Sequence, residues 1–397
     1  MAQKKILEGV KVLDIGTMIA GPVAATMLAE QGADVIKLEH PGGDPLRKIG
    51  PMHKGESLWW QVEGRNKRAL SLDLHAEKGQ EILRSLVRRT DILIENFRPG
   101  TLAKWGLDYE SLSRENPRLI MLSISGFGQT GPYATRAAYD RMALAFSGLF
   151  DATGYPDLPP VRVGASIADY SAATMGAFAC MLALYDLKLG SGTGRHIDLA
   201  LYETVFRYMD FAVLQYDQLG QRRERMGNLH PASAPGNTFK TRSGRHLNLT
   251  VSQDGLFVRL YEAIGRSDIA HEPDYQTHSG RAPDVERLNG VLADWILSRE
   301  DAEVFDVFDT HGIPYAMILN MDDIFQHEQY QARGNIQRVN AGSLGTIRMQ
   351  GIVPRMGAGA DEIRPARRCG EDTEQVLRDE LGMDPAEIAA LREQGVL

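Results

Sequence analysis

Cysteine is nearly absent from this chain of 397 residues. The two that occur, Cys180 and Cys369, lie far apart, so the sequence offers no disulfide framework and no paired-cysteine metal motif. The ten histidines are scattered and form neither an HExxH motif nor a cluster at ligand spacing, so we predict no metal site. The few cysteines fit a reducing compartment, and we expect a cytoplasmic protein.

Basic charge and long apolar runs are also scarce. The 44 Lys and Arg residues face 52 Asp and Glu residues, which gives a formal net charge of −8. An acidic chain without clustered basic residues argues against a nucleic-acid partner or an anionic membrane surface. The longest apolar stretch, 172–185, is too short to span a bilayer and predicts a buried helix.

Three common active-site motifs are missing as well. The turn from Gly16 to Pro22 is not a GxGxxG dinucleotide fingerprint, and no Walker A loop or GxSxG elbow occurs. The sequence therefore does not indicate a nicotinamide enzyme, a nucleoside-triphosphate enzyme or an ordinary serine hydrolase.

The first 126 residues alternate between strand-like and helix-like patterns. Helical patterns at 21–33 and 77–90 separate short apolar runs at 11–16, 34–39, 91–96 and 118–126. Strands joined through helices pair in parallel. We therefore predict an α/β fold whose core is an open, doubly wound, Rossmann-like parallel sheet with helices on both faces.

A segment rich in Gly, Pro and charge, 218–237, is the best candidate for a domain boundary. We predict a large domain over 1–219 and a smaller α/β domain over 220–330. The patterning of 331–397 includes strands and an amphipathic helix, but does not say which domain this segment joins.

The stretch VGASIADYSAATMGAFACMLALY, 163–185, joins a carboxylate to a run of small apolar side chains. An Asp just ahead of an apolar helix is a favoured N-cap, and on spacing alone this is the favoured interpretation of Asp169. A carboxylate among small side chains that admit a substrate could also be a nucleophile. The residues alone leave both roles open.

Two further segments follow predicted strands, where open α/β sheets bind ligands. They are ENFRPG (95–100) and the glycine-rich SGFGQTGPY (125–133). The first could equally be a solvated turn and the second a surface loop.

These segments, together with several others, occur in the same order in a known protein family. The chain closely resembles the class III coenzyme A transferases, the family of formyl-CoA transferase and carnitine CoA-transferase, in LEGVKVLDIG, LAEQGADVIKLEHPGGDPLR, NKRALSLDL, DILIENFRPGTLAKWGLDYESL, NPRLIMLSISGFGQTGPY, ASIADYSAATMGAFACMLAL and GTGRHIDLALYETV. The similarity is nearly continuous from 7 to about 206 and looser over 225–239 and 312–334. The region around GQTGPY is most similar to transferases of short dicarboxylates such as succinate.

The resemblance implies that Asp169 is the nucleophile. CoA would pass from an acyl-CoA thioester to a carboxylic acid through an aspartyl mixed anhydride and an aspartyl-CoA thioester. A CoA thioester is then the substrate, and no tightly bound cofactor is expected. The resemblance also implies a homodimer of two interlocked ring-like chains, with 331–397 returning to the large domain.

Positions that contact CoA in the family can be matched here. The resemblance implies that CoA binds at Asn96, Phe97, Arg98, Lys104, Tyr139 and His40, where His40 replaces an Arg. Further basic candidates for the CoA phosphates are Arg47, Lys67 and Arg68.

Departures from the family pattern narrow the chemistry. Ile19 replaces a Gln of formyl-CoA transferase, and the glycine loop of that enzyme has only a weak counterpart at 250–257, which argues against formate and oxalate as substrates. The related α-methylacyl-CoA racemases carry a His at the position of Tyr139, and a phenol is a poor acid–base partner at neutral pH. An isomerase or racemase that transfers the α-proton, or a non-catalytic CoA-thioester-binding protein, remains the alternative function.

Overall fold

The computed structural model describes residues 5–190, 192–231, 233–356 and 362–397. Its strands are β1 (Lys11–Asp14), β2 (Asp34–Glu39), β3 (Met52–His53), β4 (Glu56–Ser57), β5 (Arg68–Ser71), β6 (Ile92–Glu95), β7 (Ile120–Ser125), β8 (His196–Ala200), β9 (Gly236–Lys240), β10 (His246–Thr250), β11 (Tyr315–Met317), β12 (Ile336–Asn340) and β13 (Thr346–Gln350).

The helices alternate with these strands in the first half of the chain and dominate the second half. They are α1 (Ala20–Glu30), α2 (Leu58–Glu63), α3 (Glu77–Val87), α4 (Thr101–Lys104), α5 (Tyr109–Glu115), α6 (Asp140–Phe146), α7 (Leu149–Ala152), α8 (Ile167–Leu189), α9 (Leu201–Phe206), α10 (Ala212–Leu219), α11 (Asp254–Ala263), α12 (Ser267–Ala270), α13 (His278–Arg281), α14 (Val285–Leu297), α15 (Asp301–Thr310), α16 (Met321–Gln326), α17 (Glu328–Ala332), α18 (Thr373–Leu381) and α19 (Pro385–Glu393).

The chain divides into two compact units. The first comprises Met1–Phe150, Arg162–Gln221 and Gln331–Leu397, and the second comprises Asp151–Val161 and Arg222–Tyr330. The segment 151–161, which we predicted within the large domain, belongs to the second unit. Its backbone and that of the chain beyond 222 are hydrogen-bonded, as Gly227 N–H donates to the Gly154 carbonyl.

A six-stranded parallel sheet forms the centre of the first unit. The strand order is β5-β2-β1-β6-β7-β8, and Val12 of β1 lies opposite Val35 of β2 on one side and Ile92 of β6 on the other. Numbered within the sheet, this is the 3-2-1-4-5-6 order of Rossmann-like folds, with its topological switch point between β1 and β6. The predicted α/β fold with a parallel central sheet is confirmed.

Helices cover both faces of this sheet. Val12 packs into a core shared with α1 and α8, whereas the next residue, Leu13, packs into a second core shared with α3, α18 and α19. Successive side chains of a strand point to opposite faces, so both faces are apolar and buried. The last two helices of the chain therefore belong to the core of the first unit.

Helix α8 packs against the sheet through a face on which Ala and Gly predominate. A Cβ atom at Gly176 would come within 2.7 Å of Leu122 Cδ2 on β7. At 23 residues, α8 is longer than the predicted stretch and is apolar enough, by length and composition only, to cross a membrane. Half of its most apolar window is buried inside the protein, as is typical of a core helix.

The second unit contains a small antiparallel sheet of order β11-β10-β9. Its helices α11, α14 and α15 share an apolar core with this sheet. This unit contains both helices and strands, and its strands pair antiparallel.

Candidate active site

The switch point of the parallel sheet opens into a cavity. Asn96, just after β6, accepts a hydrogen bond from Thr17 N–H at 2.7 Å and donates one to the Thr17 carbonyl at 2.8 Å. This exchange holds the loop after β1 against the end of β6. The cavity beside it has a volume of about 550 Å³ and is lined by residues 17–20, Trp59, Asn96, residues 124–126, residues 138–142, Arg162, Ser166, Asp169 and Leu201.

Asp169 lies in the first turn of α8 but does not cap the helix. The N-cap position is Ser166, whose side chain makes no capping hydrogen bond. The Asp140 carboxylate, from α6, takes that role by accepting a hydrogen bond from Ala168 N–H at 2.8 Å. It also lies 3.4 Å from Asp169 N. The interpretation of Asp169 as an N-cap is therefore wrong, because another helix supplies the capping carboxylate.

The Asp169 carboxylate is consequently left without a hydrogen-bond partner among the described residues. Burial, and after it the nearby Asp140 carboxylate, raise the pKa of Asp169 to about 7. Burial also raises the pKa of Asp140, against the opposing effect of its backbone hydrogen bonds and of Arg162 and Arg141. A desolvated carboxylate without donors retains its reactivity as a nucleophile once it ionises.

Two cations share this cavity with the carboxylates. Arg141 and Arg162 both line it, and both lie close enough to Asp140 to affect its pKa. Among the described residues, Arg162 donates only to the carbonyl of its neighbour Val163, at 3.0 Å. Within the described ranges neither guanidinium is paired with a carboxylate at salt-bridge distance.

Buried charges hold the loop that forms one wall of the cavity. The Asp44 carboxylate accepts a hydrogen bond from Met18 N–H at 3.2 Å, and Lys37 donates to the Gly16 carbonyl. Lys37 also lies 3.7 Å from Asp44. Met18 adopts a positive φ of 64°, which costs free energy in a non-glycine residue. These buried ionic contacts stabilise the unfavourable backbone of Met18.

A second cavity, of about 310 Å³, adjoins the first, since Thr17 lines both. Its walls are largely apolar, with the Phe97 and Trp105 rings packed edge to face at a centroid distance of 5.9 Å. His40 and His75 also line it. Together with Asp73 they bring three possible ligand atoms within 4.8 Å of one another, a group that the sequence spacing did not reveal.

The sequence matches the model of a known protein family. The model of CoA-transferase family III matches residues 7–373. The chain belongs to this family. The predicted resemblance and the predicted class of enzyme, a CoA-transferase, are confirmed, and the alternative functions are not favoured.

Relatives of family III match almost the whole chain. The chain is 38% identical over 396 residues to succinyl-CoA--D-citramalate CoA-transferase of Chloroflexus aurantiacus, covering 98% of both chains. It is 39% identical over 397 residues to the beta subunit of succinyl-CoA--L-malate CoA-transferase of the same organism, again covering 98% of both. A crystal structure of a CAIB/BAIF family protein from Brucella suis superposes with a TM-score of 0.81 at 32% identity, covering 95% of this chain and all of that one.

The residues predicted from the family III resemblance separate into three groups. Asp169, Asn96 and Tyr139 line the first cavity, and His40 and Phe97 line the second. Arg98 and Lys104 are exposed and line neither cavity.

Three further basic candidates for the CoA phosphates have other partners. Lys67 is buried and donates to Asp14 at 2.9 Å. Arg47 binds Glu39 through two nitrogens, each at 2.6 Å, and lies over the Trp60 ring. Arg68 pairs with Asp34 and Glu380. These ion pairs stabilise the fold, and they engage all three side chains within the protein.

Sequence reasoning missed four contributors to the two cavities. They are Asp140, Arg162, His75 and the Ser125 hydroxyl, which is buried in the wall of the first cavity without a hydrogen-bond partner among the described residues. The only signal for Asp140 was its place directly after Tyr139, in a segment that resembles the family. Its capping role towards a helix that begins 27 residues later depends on packing and leaves no local pattern.

Proposed function

We propose that this enzyme transfers CoA from an acyl-CoA thioester to a carboxylic acid, with Asp169 as the nucleophile. The observation that carries the proposal is the desolvated Asp169 carboxylate, which lines a cavity at the switch point of the sheet and accepts no hydrogen bond from any described residue. A carboxylate that only stabilised the fold would instead be hydrogen-bonded, because an unpaired buried charge is costly.

The proposed reaction consists of four successive acyl transfers. The Asp169 carboxylate attacks the thioester carbonyl carbon, so that a C–O bond forms, the C–S bond breaks and CoA leaves as a thiolate. The thiolate attacks the Asp169 carbonyl of the mixed anhydride, which releases the first acid as a carboxylate. The acceptor carboxylate attacks the aspartyl-CoA thioester and expels the thiolate. The thiolate then attacks the acceptor's acyl carbon, which regenerates Asp169.

Each step passes through a tetrahedral oxyanion that needs hydrogen-bond donors. Ser125 and Gly126, at the end of β7, line the cavity with Asp169. The buried Ser125 hydroxyl has no partner among the described residues, so it supports a role as one such donor.

CoA is proposed to occupy both cavities. Its thiol end would lie in the first cavity, beside Asn96, Tyr139 and Asp169, and its nucleotide end in the second, against Phe97 and His40. The apolar and aromatic walls of the second cavity suit an adenine ring. Arg98 and Lys104, which are exposed, are then proposed to bind the CoA phosphates at the protein surface. CoA enters and leaves as a substrate, and the proposal includes no tightly bound cofactor.

The substrates are proposed to be short dicarboxylates, with succinyl-CoA as donor. This rests on the names of the relatives, which are succinyl-CoA-dependent transferases of citramalate and malate. Both acids carry a second carboxylate, as succinate does.

The enzyme is further proposed to be a cytoplasmic homodimer of interlocked chains. One side of α8 exposes large apolar residues at helical spacing, with Phe178, Leu182 and Tyr185 more than half exposed. An isolated chain rarely leaves so continuous an apolar stripe in water. A second copy of the chain would cover it.

Covalent trapping tests the nucleophile. Wild-type enzyme incubated with succinyl-CoA and then with hydroxylamine should carry a hydroxamate on the peptide that contains Asp169, because both covalent intermediates are activated acyl groups. The Asp169→Ala variant should carry none and should lose at least about 10³-fold in CoA exchange. Intact mass and peptide mapping measure the adduct. An adduct on another residue, or none across a panel of acyl-CoA thioesters, would refute the mechanism.

A further inference from the structure

The first cavity contains more positive charge than an acyl transfer through Asp169 requires. Arg141 and Arg162 both line it and pair with no carboxylate within the described part of the chain. By contrast, Arg47 and Arg68 of the first unit are paired with Glu39 and Asp34. Two guanidiniums without acid partners beside a nucleophile indicate that an anion completes the site.

The carboxylates of the cavity repel an anionic substrate, so that its binding requires a positive charge nearby. Asp140 and Asp169 are both acidic and partly or wholly buried, so an incoming dianion meets like charge. The reacting carboxylate of an acceptor loses its charge as it becomes acylated. A second carboxylate on the same molecule remains charged throughout and must be neutralised in place. Arginine suits this task because its planar fork binds a carboxylate through two parallel hydrogen bonds.

We propose that Arg162, with Arg141 as a second donor, binds the non-reacting carboxylate of a dicarboxylic substrate and so determines the selectivity of the enzyme for dicarboxylates. The proposal rests on the proposed function, since it assumes that Asp169 exchanges CoA in this cavity. The rest of the wall is apolar, with Met18, Ile19 and Trp59, and accommodates the short carbon chain between the two carboxylates. The same contact would hold the distal carboxylate of a dicarboxylyl-CoA donor.

The CoA phosphates are the competing anions, and two acceptors of equal chain length separate the two roles. Exchange is measured with saturating succinyl-CoA as donor and isotopically labelled succinate or butyrate as acceptor. Succinate is an obligatory acceptor of the reverse step, so any enzyme that uses succinyl-CoA must accept it. Because the donor is the same in both assays, the ratio of kcat/KM for succinate to kcat/KM for butyrate reports only on the second carboxylate.

The Arg162→Met variant should lower this ratio by about 10- to 100-fold, the effect of removing a charged hydrogen-bond partner. Arg162→Lys, which keeps the charge but loses the fork, should give an intermediate ratio, and Arg141→Met a smaller decrease than Arg162→Met. The matched control is Arg114→Met on α5, an exposed arginine that lines neither cavity and should leave the ratio unchanged.

Three results would overturn the inference. An unchanged ratio in Arg162→Met shows that the second carboxylate does not bind Arg162. A parallel loss for both acids, with a raised KM for succinyl-CoA and an unchanged ratio, assigns Arg162 to CoA. A wild-type enzyme that exchanges CoA with both acids equally well has no dicarboxylate site. A wild-type enzyme that exchanges CoA with no acid instead refutes the proposed function, and the inference falls with it.

Discussion

The two aspartates of the first cavity, Asp140 and Asp169, have different roles. Asp140 accepts backbone hydrogen bonds at the start of α8, whereas Asp169 accepts none among the described residues. The hydrogen bonds favour the charged form of Asp140, so its charge helps to raise the pKa of Asp169. The charge of Asp140 therefore adds to the effect of burial on the protonation of Asp169.

The pH dependence of the reaction should reveal this coupling. Asp169 must be ionised to attack, and its pKa of about 7 predicts that kcat/KM rises with pH through about 7. Asp140→Asn keeps the oxygen that accepts from Ala168 N–H but removes the repelling charge. The acidic limb should then move to lower pH but stay above the range of an ordinary Asp carboxylate, because burial remains the larger cause.

The limb is measured from kcat/KM between pH 5 and 9. Asp379→Asn, at an exposed position on α18, is the matched control and should not move it. An acidic limb that stays in place in Asp140→Asn, or moves to higher pH, would contradict the proposed coupling.

At the scale of elements, the loop between β1 and α1 contributes to both cavities. Its backbone is held from behind by Asp44, which accepts from Met18 N–H and lies within salt-bridge distance of Lys37. Both charged groups are almost fully buried. Such a pair costs little while it is complete, but removing one member leaves a buried charge with fewer partners.

Asp44→Ala should therefore destabilise the fold and loosen the substrate site together. We expect the free energy of unfolding to fall by about 3 kcal/mol, since Asp14 is then the only carboxylate of the described residues at salt-bridge distance from Lys37. The KM for acyl-CoA should rise, because Met18 is released from its positive φ. Urea unfolding and steady-state kinetics measure the two effects. Asp44→Asn, which retains an acceptor for Met18 N–H, should restore KM better than stability.

The elements that sequence patterning predicted are those in the interior of the sheet. Strands β1, β2, β6 and β7 lie between neighbours on both sides and are buried on both faces, so they appear as short continuous apolar runs. The two edge strands, β5 and β8, were not predicted. Edge strands are half solvated, and the apolar residues of β8 continue directly into α9, so that no turn signal separates strand from helix.

The site was predictable only in part. The position of Asp169 was visible because a charged residue interrupts an apolar run, and the family resemblance indicated its role. The partners of Asp169 were not visible. Asp140 lies on α6, which packs against α8, and Arg162 lies on the segment before α8, so only the folded chain brings them into one cavity.

At the scale of the whole molecule, the exposed apolar stripe on α8 predicts the oligomeric state. Native mass should be about twice the 43.9 kDa of one chain and should stay there on dilution, because the proposed interlocked chains could not separate without unfolding. Leu182→Glu places a charge in the stripe and should prevent assembly of the dimer. Mass photometry across a dilution series measures both.

Ile6→Glu, at an exposed apolar residue outside the stripe, serves as the control and should leave the mass unchanged. A wild-type chain that is monomeric, or one that exchanges freely on dilution, is incompatible with interlocked rings.

The close packing of α8 has a consequence for the whole enzyme. Gly176 lies two turns along the helix from Asp169, at a place where an added methyl group would press on Leu122 in the core. Dense cores transmit such a displacement instead of absorbing it. The position of Asp169 in its cavity therefore depends on the contact between Gly176, which has no side chain, and Leu122 of β7. In variants of this sequence, a change of side-chain size at Gly176 or Leu122 should therefore change the catalytic efficiency, even when every polar group of the active site is retained.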